Sequence, residues 1–201
     1  AFLKEVMDLF SLTALEICEG QQMDMEFEQR NDVTAEEYLE MIRLKTAVLL
    51  AASLKIGARL GGASVEDADR LYDFGMHIGV AFQLKDDLLD VYGNAKVFGK
   101  NIGGDILCNK KTYMLIKALE HANADQHNQL NSWINAETFQ PAEKIAAVTE
   151  LYDRIGVKAV CENKILEYSN RAMESLAAVS IAEEKKEELK KIIENLIHRE
   201  V

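Results

Sequence analysis

The chain reads as an all-α protein, an antiparallel helical bundle. Three observations predict this. Apolar residues recur at intervals of three and four along most of the 201 residues, Pro141 is the only proline, and capping signatures stand ahead of the apolar runs at Thr34, Ser64 and Ser180. No stretch alternates convincingly with a period of two, and no internal repeat or low-complexity segment interrupts the pattern.

The elements follow in order. Residues 2–20 carry apolar spacing at Phe2, Leu3, Val6, Leu9, Phe10, Leu12, Thr13 and Ile17 and predict a first helix. Residues 21–32 are polar and rich in methionine, with Asn31-Asp32 read as a turn. Thr34-Ala35-Glu36-Glu37 is a capping box, with Val33 and Tyr38 placed as its hydrophobic staple. The helix it starts is expected to run to Leu60 and to stop at Gly61-Gly62. Ser64 is the next N-cap, opening a helix over about 65–92. Residues 93–109 are glycine-rich and read as a long loop, and helical pattern resumes over 110–122. The register of 121–135 is not evident. Pro141 suits a first helical turn, and helices are expected over 141–153, 157–178 and 181–199, the last from a capping box at Ser180 and Glu183.

A chain of this length supports one sizeable core, so residues 1–201 are read as a single domain. It begins abruptly at Ala1-Phe2-Leu3, as though part-way into a helix, and is expected to be the C-terminal portion of a longer protein. A formal charge of −11 argues against nucleic acid as a partner, which would need stripes of Lys and Arg. It leaves room for a phosphorylated small molecule, because a bound cation inverts the local sign. Cys18, Cys108 and Cys161 are widely spaced and form no CxxC pair, so neither a zinc site nor a disulfide framework is indicated, and free thiols suit a reducing cytoplasm. No apolar run reaches membrane-spanning length.

The densest chemistry lies in Phe82-Gln83-Leu84-Lys85-Asp86-Asp87-Leu88-Leu89-Asp90. Asp86 and Asp90 are four apart and share a helix face, with Asp87 about 100° round. Such a cluster suits a hard divalent cation, Mg2+ above all, whose remaining positions water and phosphate would fill. Taken alone it equally suits an acidic strip on a solvated face. Other polar residues sharpen it. Lys45-Thr46 interrupts the apolar run Ile42, Leu44, Ala47, Val48; Gln83 precedes Asp86 by one turn; Lys100, Asp105, Lys110 and Lys111 stand in or beside the glycine-rich loop. Glycines let backbone approach a ligand, and lysines supply point charges for phosphate. Together they describe a site for a metal–diphosphate. His77 sits among apolar neighbours and reads as a core histidine, as Tyr72, Phe74, Met76 and Phe82 read as core; His121, His127 and His198 have no partners at ligand spacing.

The blocks Gly20-Gln21-Gln22-Met23-Asp24, Lys45-Thr46-Ala47, FQLKDDLLD and GKNIGGDILCNKK resemble, in order and spacing, the C-terminal part of a trans-isoprenyl diphosphate synthase of the polyprenyl synthetase family. The resemblance covers roughly residues 15–120, and FQxxDDxxD followed by GKxxGGD is highly specific. It implies an isoprenoid synthase-like helical bundle lacking its N-terminal helices, and a Mg2+-dependent prenyltransferase that condenses isopentenyl diphosphate with an allylic prenyl diphosphate, cytoplasmic and homodimeric. By the same resemblance Asp86, Asp87 and Asp90 bind metal, Lys45, Lys100 and Lys110 hold the allylic diphosphate, and the oxygens of Thr46 and Gln83 face the developing carbocation. Gln21 and Asp24 would line the cavity, and Lys111 would face solvent. The family's first aspartate-rich motif and its arginine pair have no counterpart in this chain. Two alternatives follow: a non-catalytic subunit of a heteromeric prenyl synthase, and a terpene cyclase on a similar scaffold.

Overall fold

A computed structural model describes residues 2–94 and 102–197, and among these every regular element is helical. They are α1 (Leu3–Phe27), α2 (Ala35–Ile42), a π-helical turn (Arg43–Ala47), α3 (Val48–Leu60), α4 (Val65–Tyr92), α5 (Gly104–Leu107), α6 (Tyr113–His121), α7 (Ala124–Ile134), α8 (Pro141–Ile155), α9 (Val157–Ala177), a 3-10 turn (Glu183–Lys185) and α10 (Glu187–Ile197).

Local chemistry accounts for most boundaries. The Thr34 hydroxyl accepts from the Glu37 amide, and the Glu37 carboxylate accepts from the Thr34 amide at 2.9 Å, so the capping box forms in full. Val33 and Tyr38 are both buried in the main core, as a staple requires. Ser64 caps α4 through the Asp67 amide, Pro141 occupies the first turn of α8, and Gly62 takes a φ of 89° just beyond α3. The polar stretch of unclear register contains α7, opened by a second capping box between Asn123 and Gln126.

The bundle is antiparallel, as contacts along each helix pair show. On α1 against α2–α3, Glu5 meets Arg59 at one end and Asp24 meets Lys45 at the other. On α3 against α4, Ala51 lies against Gly75 and Ala47 against Gly79. On α4 against α9, the Ser180 amide just beyond α9 donates to Asp67, while the Cys161 thiol approaches the Leu84 carbonyl. A main core of Tyr38, Leu84, Leu88, Met114, Leu130, Leu151 and Tyr152 lies under the acidic end of α4. A second cluster of Phe74, Ile78, Ala172, Leu176 and Ile193 closes the other end.

The structure corrects four sequence expectations. Residues 35–60 do not form one regular helix: the Val48 amide reaches back to the Arg43 carbonyl, five residues away, and widens the turn that carries Lys45 and Thr46. The first helix continues past residue 20 to Phe27, and its apolar spacing does not mark a buried face. Only Thr13, Gly20 and Phe27 of α1 are buried, while Leu3, Met7 and Phe10 are more than half exposed. Phe82 likewise lies outward, on a groove of about 330 Å³ shared with Leu50, Ile78, Ile192 and Leu196. Ser180 and Glu183 form no capping box, because the Ser180 amide is taken by Asp67 and Glu183 pairs with Lys186 and Lys190.

Candidate functional site

Lys45, Thr46, Gln83 and Lys110, singled out in the sequence, converge towards the C-terminal end of α4. The seam between α3 and α4 makes this possible. Gly75 and Gly79 face Ala51 and Ala47 so closely that a Cβ on Gly79 would lie 2.6 Å from the Ala47 Cα. Gly20 fits as tightly against Leu44 and the Lys45 amide, so α1, the π turn and α4 meet at backbone distance. One residue along from Ala47 is Thr46, and one turn along from Gly79 is Gln83. Their side chains meet, with the Thr46 hydroxyl 3.4 Å from Gln83 Oε1.

Gln83 is oriented from its other end. Its Nε2 donates to Asp87 Oδ1 at 3.4 Å, and the second carboxylate oxygen of Asp87 accepts a short hydrogen bond from the Tyr38 hydroxyl. The Gln83 amide nitrogen thus faces Asp87 and its oxygen faces Thr46. Asp87 is 2% exposed. Burial pushes its carboxyl up to about 7 against the opposing hydrogen bond from Tyr38. The 100° offset turns Asp87 inward, where Tyr38 and Gln83 hold its two oxygens.

Asp86 and Asp90 are half-buried on the outer face of the turn. Asp90 Oδ2 accepts from the Asp105 amide at 3.0 Å, and the Gly103 amide donates to the Asp90 carbonyl at 2.6 Å. Burial raises the Asp90 carboxyl above the usual carboxylate range, and Asp86 pushes the same way. Asp105 is raised too, by burial and then by Asp90 and Asp86 against the pull of Lys110. Burial works to lower Lys110, but Asp105, Asp87 and Asp24 outweigh it and its pKa ends above the ordinary lysine value. The Lys110 ammonium lies 3.6 Å from Asp105 Oδ1, and Lys45 pairs with Asp24 at 2.6 Å.

A cavity of about 40 Å³ is lined by Asp24, Tyr38, Lys45, Thr46, Gln83 and Lys110 together with Met41 and Ile42. Lys45, Thr46, Gln83 and Lys110 are thereby brought together, with Asp24 beside them. Lys100 lies outside the described residues. Gln21 is exposed, and Lys111 is half-buried with its ammonium 3.4 Å from the Asn109 carbonyl. Tyr38 is the site residue that sequence reasoning missed in this role: its position as a staple explains its burial but does not show what its hydroxyl meets.

The donor set suits a hard divalent cation. It consists of carboxylates, two of them one turn apart. Among the described residues no three His, Cys, Asp or Glu side chains converge as a complete ligand set. Two protein carboxylates match an ion that keeps water and phosphate oxygens in its shell.

The site is thus a pair of lysines lining one cavity of an all-helical bundle, with two aspartates one turn apart on the same helix as Gln83. The family model of polyprenyl synthetases matches residues 2–152, and the chain belongs to that family. A short chain isoprenyl diphosphate synthase of Methanothermobacter thermautotrophicus is 38% identical over 197 residues, covering 98% of this chain and 59% of the relative. A geranylgeranyl diphosphate synthase of Methanosarcina mazei is 52% identical over 114 residues, 57% of this chain and 35% of the relative. Among solved structures, a geranylgeranyl pyrophosphate synthase superposes with a TM-score of 0.92 at 38% identity, covering 98% of this chain and 62% of that one. The Corynebacterium glutamicum geranylgeranyl pyrophosphate synthase complexed with isoprenyl diphosphate and magnesium gives 0.89 at 29% identity, covering 98% of this chain and 56% of that one. The chain thus spans about three fifths of the relative it matches over nearly its whole length.

Proposed function

We propose that the protein is a prenyltransferase that condenses isopentenyl diphosphate with an allylic prenyl diphosphate, of the short-chain polyprenyl type. The observation that carries this reading is one cavity lined by Lys45, Thr46, Gln83 and Lys110, with Asp86 and Asp90 on the same helix as Gln83. Lys45 and Lys110 bind the allylic diphosphate as point charges. Asp86 and Asp90 hold a divalent cation, Mg2+, on the same side. When bound, that ion acts as a Lewis acid for the charge that collects on the departing diphosphate.

The protein's own residues do the rest. The Gln83 carbonyl dipole, fixed by Asp87 and Tyr38, presents its negative end to the carbon that becomes cationic. The Thr46 hydroxyl oxygen adds a second such dipole. Preorganised dipoles of this kind need no rearrangement at the moment of reaction and stabilise charge where water is excluded. The proton released after carbon–carbon bond formation goes to the departing diphosphate, so no side chain is needed as general base.

The likeness to proteins named short-chain and geranylgeranyl synthases supports this reading, as does the magnesium and isoprenyl diphosphate of the C. glutamicum complex. Two further assignments complete the proposal. The outward apolar side chains of α1 are covered by a second copy of the protein in a homodimer. The second is a cytoplasmic location, which the three free cysteines support; among the described residues no helix is long and apolar enough to cross a membrane.

The test uses the full-length polypeptide with isopentenyl diphosphate, an allylic diphosphate and Mg2+, following prenyl product by chromatography. Asp86→Ala is expected to cut turnover at least about 100-fold, the scale of losing one electrostatic stabiliser, with an unchanged melting temperature. Unchanged turnover would remove the metal assignment, and product formed without isopentenyl diphosphate would indicate a cyclase.

A further inference from the structure

A buried lysine that the proposed chemistry does not use stands behind the site. Lys144 on α8 is 1% exposed, among the most deeply buried side chains of the described structure. Its ammonium donates to Asn109 Oδ1 at 2.7 Å and lies 4.2 Å from the centre of the Phe139 ring. Neither partner is charged. Keeping an ammonium out of water beside an amide oxygen and an aromatic face is costly, so the arrangement calls for an explanation beyond packing.

Asn109 supplies it. With φ at 52°, it is the one non-glycine residue of the described chain in the left-handed region. It follows the short α5, where the chain must reverse. Its own amide bonds to the Ile106 carbonyl, and the Lys110 amide then reaches back to the Asp105 carbonyl at 3.0 Å. That reversal returns Lys110 towards Asp105 and the Asp90 face. The Asn109 side chain is anchored at both ends, its Oδ1 by Lys144 and its Nδ2 to the Ile134 carbonyl at 2.9 Å. A void of about 20 Å³ lined by Asp105, Asn109, Lys110 and Lys144 adjoins these groups, room for a single water.

We propose that Lys144 is a positioning residue: by clamping Asn109 in its left-handed conformation, it sets the Lys110 ammonium where a substrate diphosphate is bound. This rests on the reading of Lys110 as a diphosphate ligand. Lys144 touches no substrate and acts only through the Asn109–Lys110 turn. Without the clamp the turn loses its main side-chain anchor, and Lys110 spends less time on the acidic face.

The test measures the affinity of the full-length protein for inorganic pyrophosphate with Mg2+ by titration calorimetry. Lys110→Ala should weaken binding about tenfold, the effect of roughly 1.4 kcal/mol. Lys144→Met should weaken it about fivefold, raising KM for the allylic diphosphate while leaving kcat within twofold. Placed on the Lys110→Ala background, Lys144→Met should add less than twofold, because both act on one group. Asn109→Gly keeps access to positive φ but loses the clamp and the Ile134 bond, and should weaken binding at least as much as Lys144→Met; Asn109→Ala loses the favourable backbone too and should fall further. If Lys144→Met does not fold, Asn109→Gly carries the same test alone and on the Lys110→Ala background. Wild-type affinity in Lys144→Met or Asn109→Gly, with Lys110→Ala weakened, overturns the positioning role alone. Losses that multiply in the double variant also overturn it. Wild-type affinity in Lys110→Ala removes the diphosphate reading of the site and this proposal with it.

Discussion

Replacing Gly79 by alanine tests whether the α3–α4 seam sets the site. The added Cβ would lie 2.6 Å from Ala47 Cα and 2.7 Å from Ala47 Cβ, both on a backbone that cannot rotate away. Ordinary contact begins near 3.4 Å, so the helices must part by about 0.8 Å. Overpacking of this kind costs about 1–3 kcal/mol. Alanine recovers about 0.5–1 kcal/mol of helix propensity over glycine, leaving a net loss of up to about 2.5 kcal/mol. For a protein of this size that lowers Tm by up to about 10 °C. The control is Gly57→Ala on α3, where a Cβ meets nothing within 4 Å. There the propensity gain stands alone, and Tm should rise by about 1–3 °C. Thermal unfolding by circular dichroism reads both, and the opposite signs make the pair informative. The Gly79 variant should also weaken binding of an allylic diphosphate, because Thr46 and Gln83 ride on the two helices being parted. A Gly79→Ala protein as stable as Gly57→Ala would refute the claim that close approach along this seam is required.

Two further perturbations separate the roles of buried polar groups. Tyr38→Phe leaves one oxygen of the buried Asp87 without its donor and should cost about 1–3 kcal/mol in urea unfolding, with kcat reduced as Gln83 loses its fixed orientation; an unchanged urea midpoint would contradict the pairing. Asp67 accepts from the Ser180 amide, the largest cause of its lowered pKa, and from Ser64 and Arg70. Its contribution is therefore present above the ordinary carboxylate range and is lost as pH falls through the depressed value. The stability gap between the wild type and Asp67→Asn should be full at pH 6–7 and should narrow on acidification below about pH 4; a gap independent of pH would show that the carboxylate charge is not what holds the α9–α10 connection.

Much of this was legible in the sequence because it rests on local rules. Thr34, Ser64, Pro141 and Gly62 mark helix ends through their own backbone and side-chain chemistry. The convergence of Lys45-Thr46 with Gln83 follows once α3 and α4 are antiparallel neighbours joined by a short loop. The inward turn of Asp87 was implicit in its 100° offset, but its burial depends on Tyr38, forty-nine positions away. The π turn leaves no mark in Arg43-Leu44-Lys45-Thr46-Ala47, whose residues suit an ordinary helix; it arises from the need to satisfy two packing partners. Lys144 reads as a surface lysine because its neighbours on α8 are ordinary and its neutral partners come from distant segments. The apolar spacing of α1 was real, but periodicity shows which side is apolar and not what lies against it. Ser180 and Glu183 match a capping pattern, yet Asp67 competes successfully for the same amide.

The wide turn at Arg43–Ala47 is in effect a phase correction. One residue more than a regular helix needs is held there, so deleting Arg43 or Leu44 would restore ordinary hydrogen bonding and rotate one side against the other by about 100°. Tyr38 is fixed on one side by Asp87, and Ala47 on the other by Gly79. Both partners lie on the same helix, α4, and a regular helix would leave one of the two out of step. Loss of the surplus residue would uncouple the capped, tyrosine-bearing end of the helix from the end that carries Ala47 and the Gly79 contact. A shortened chain could fold more regularly there and still lose the site.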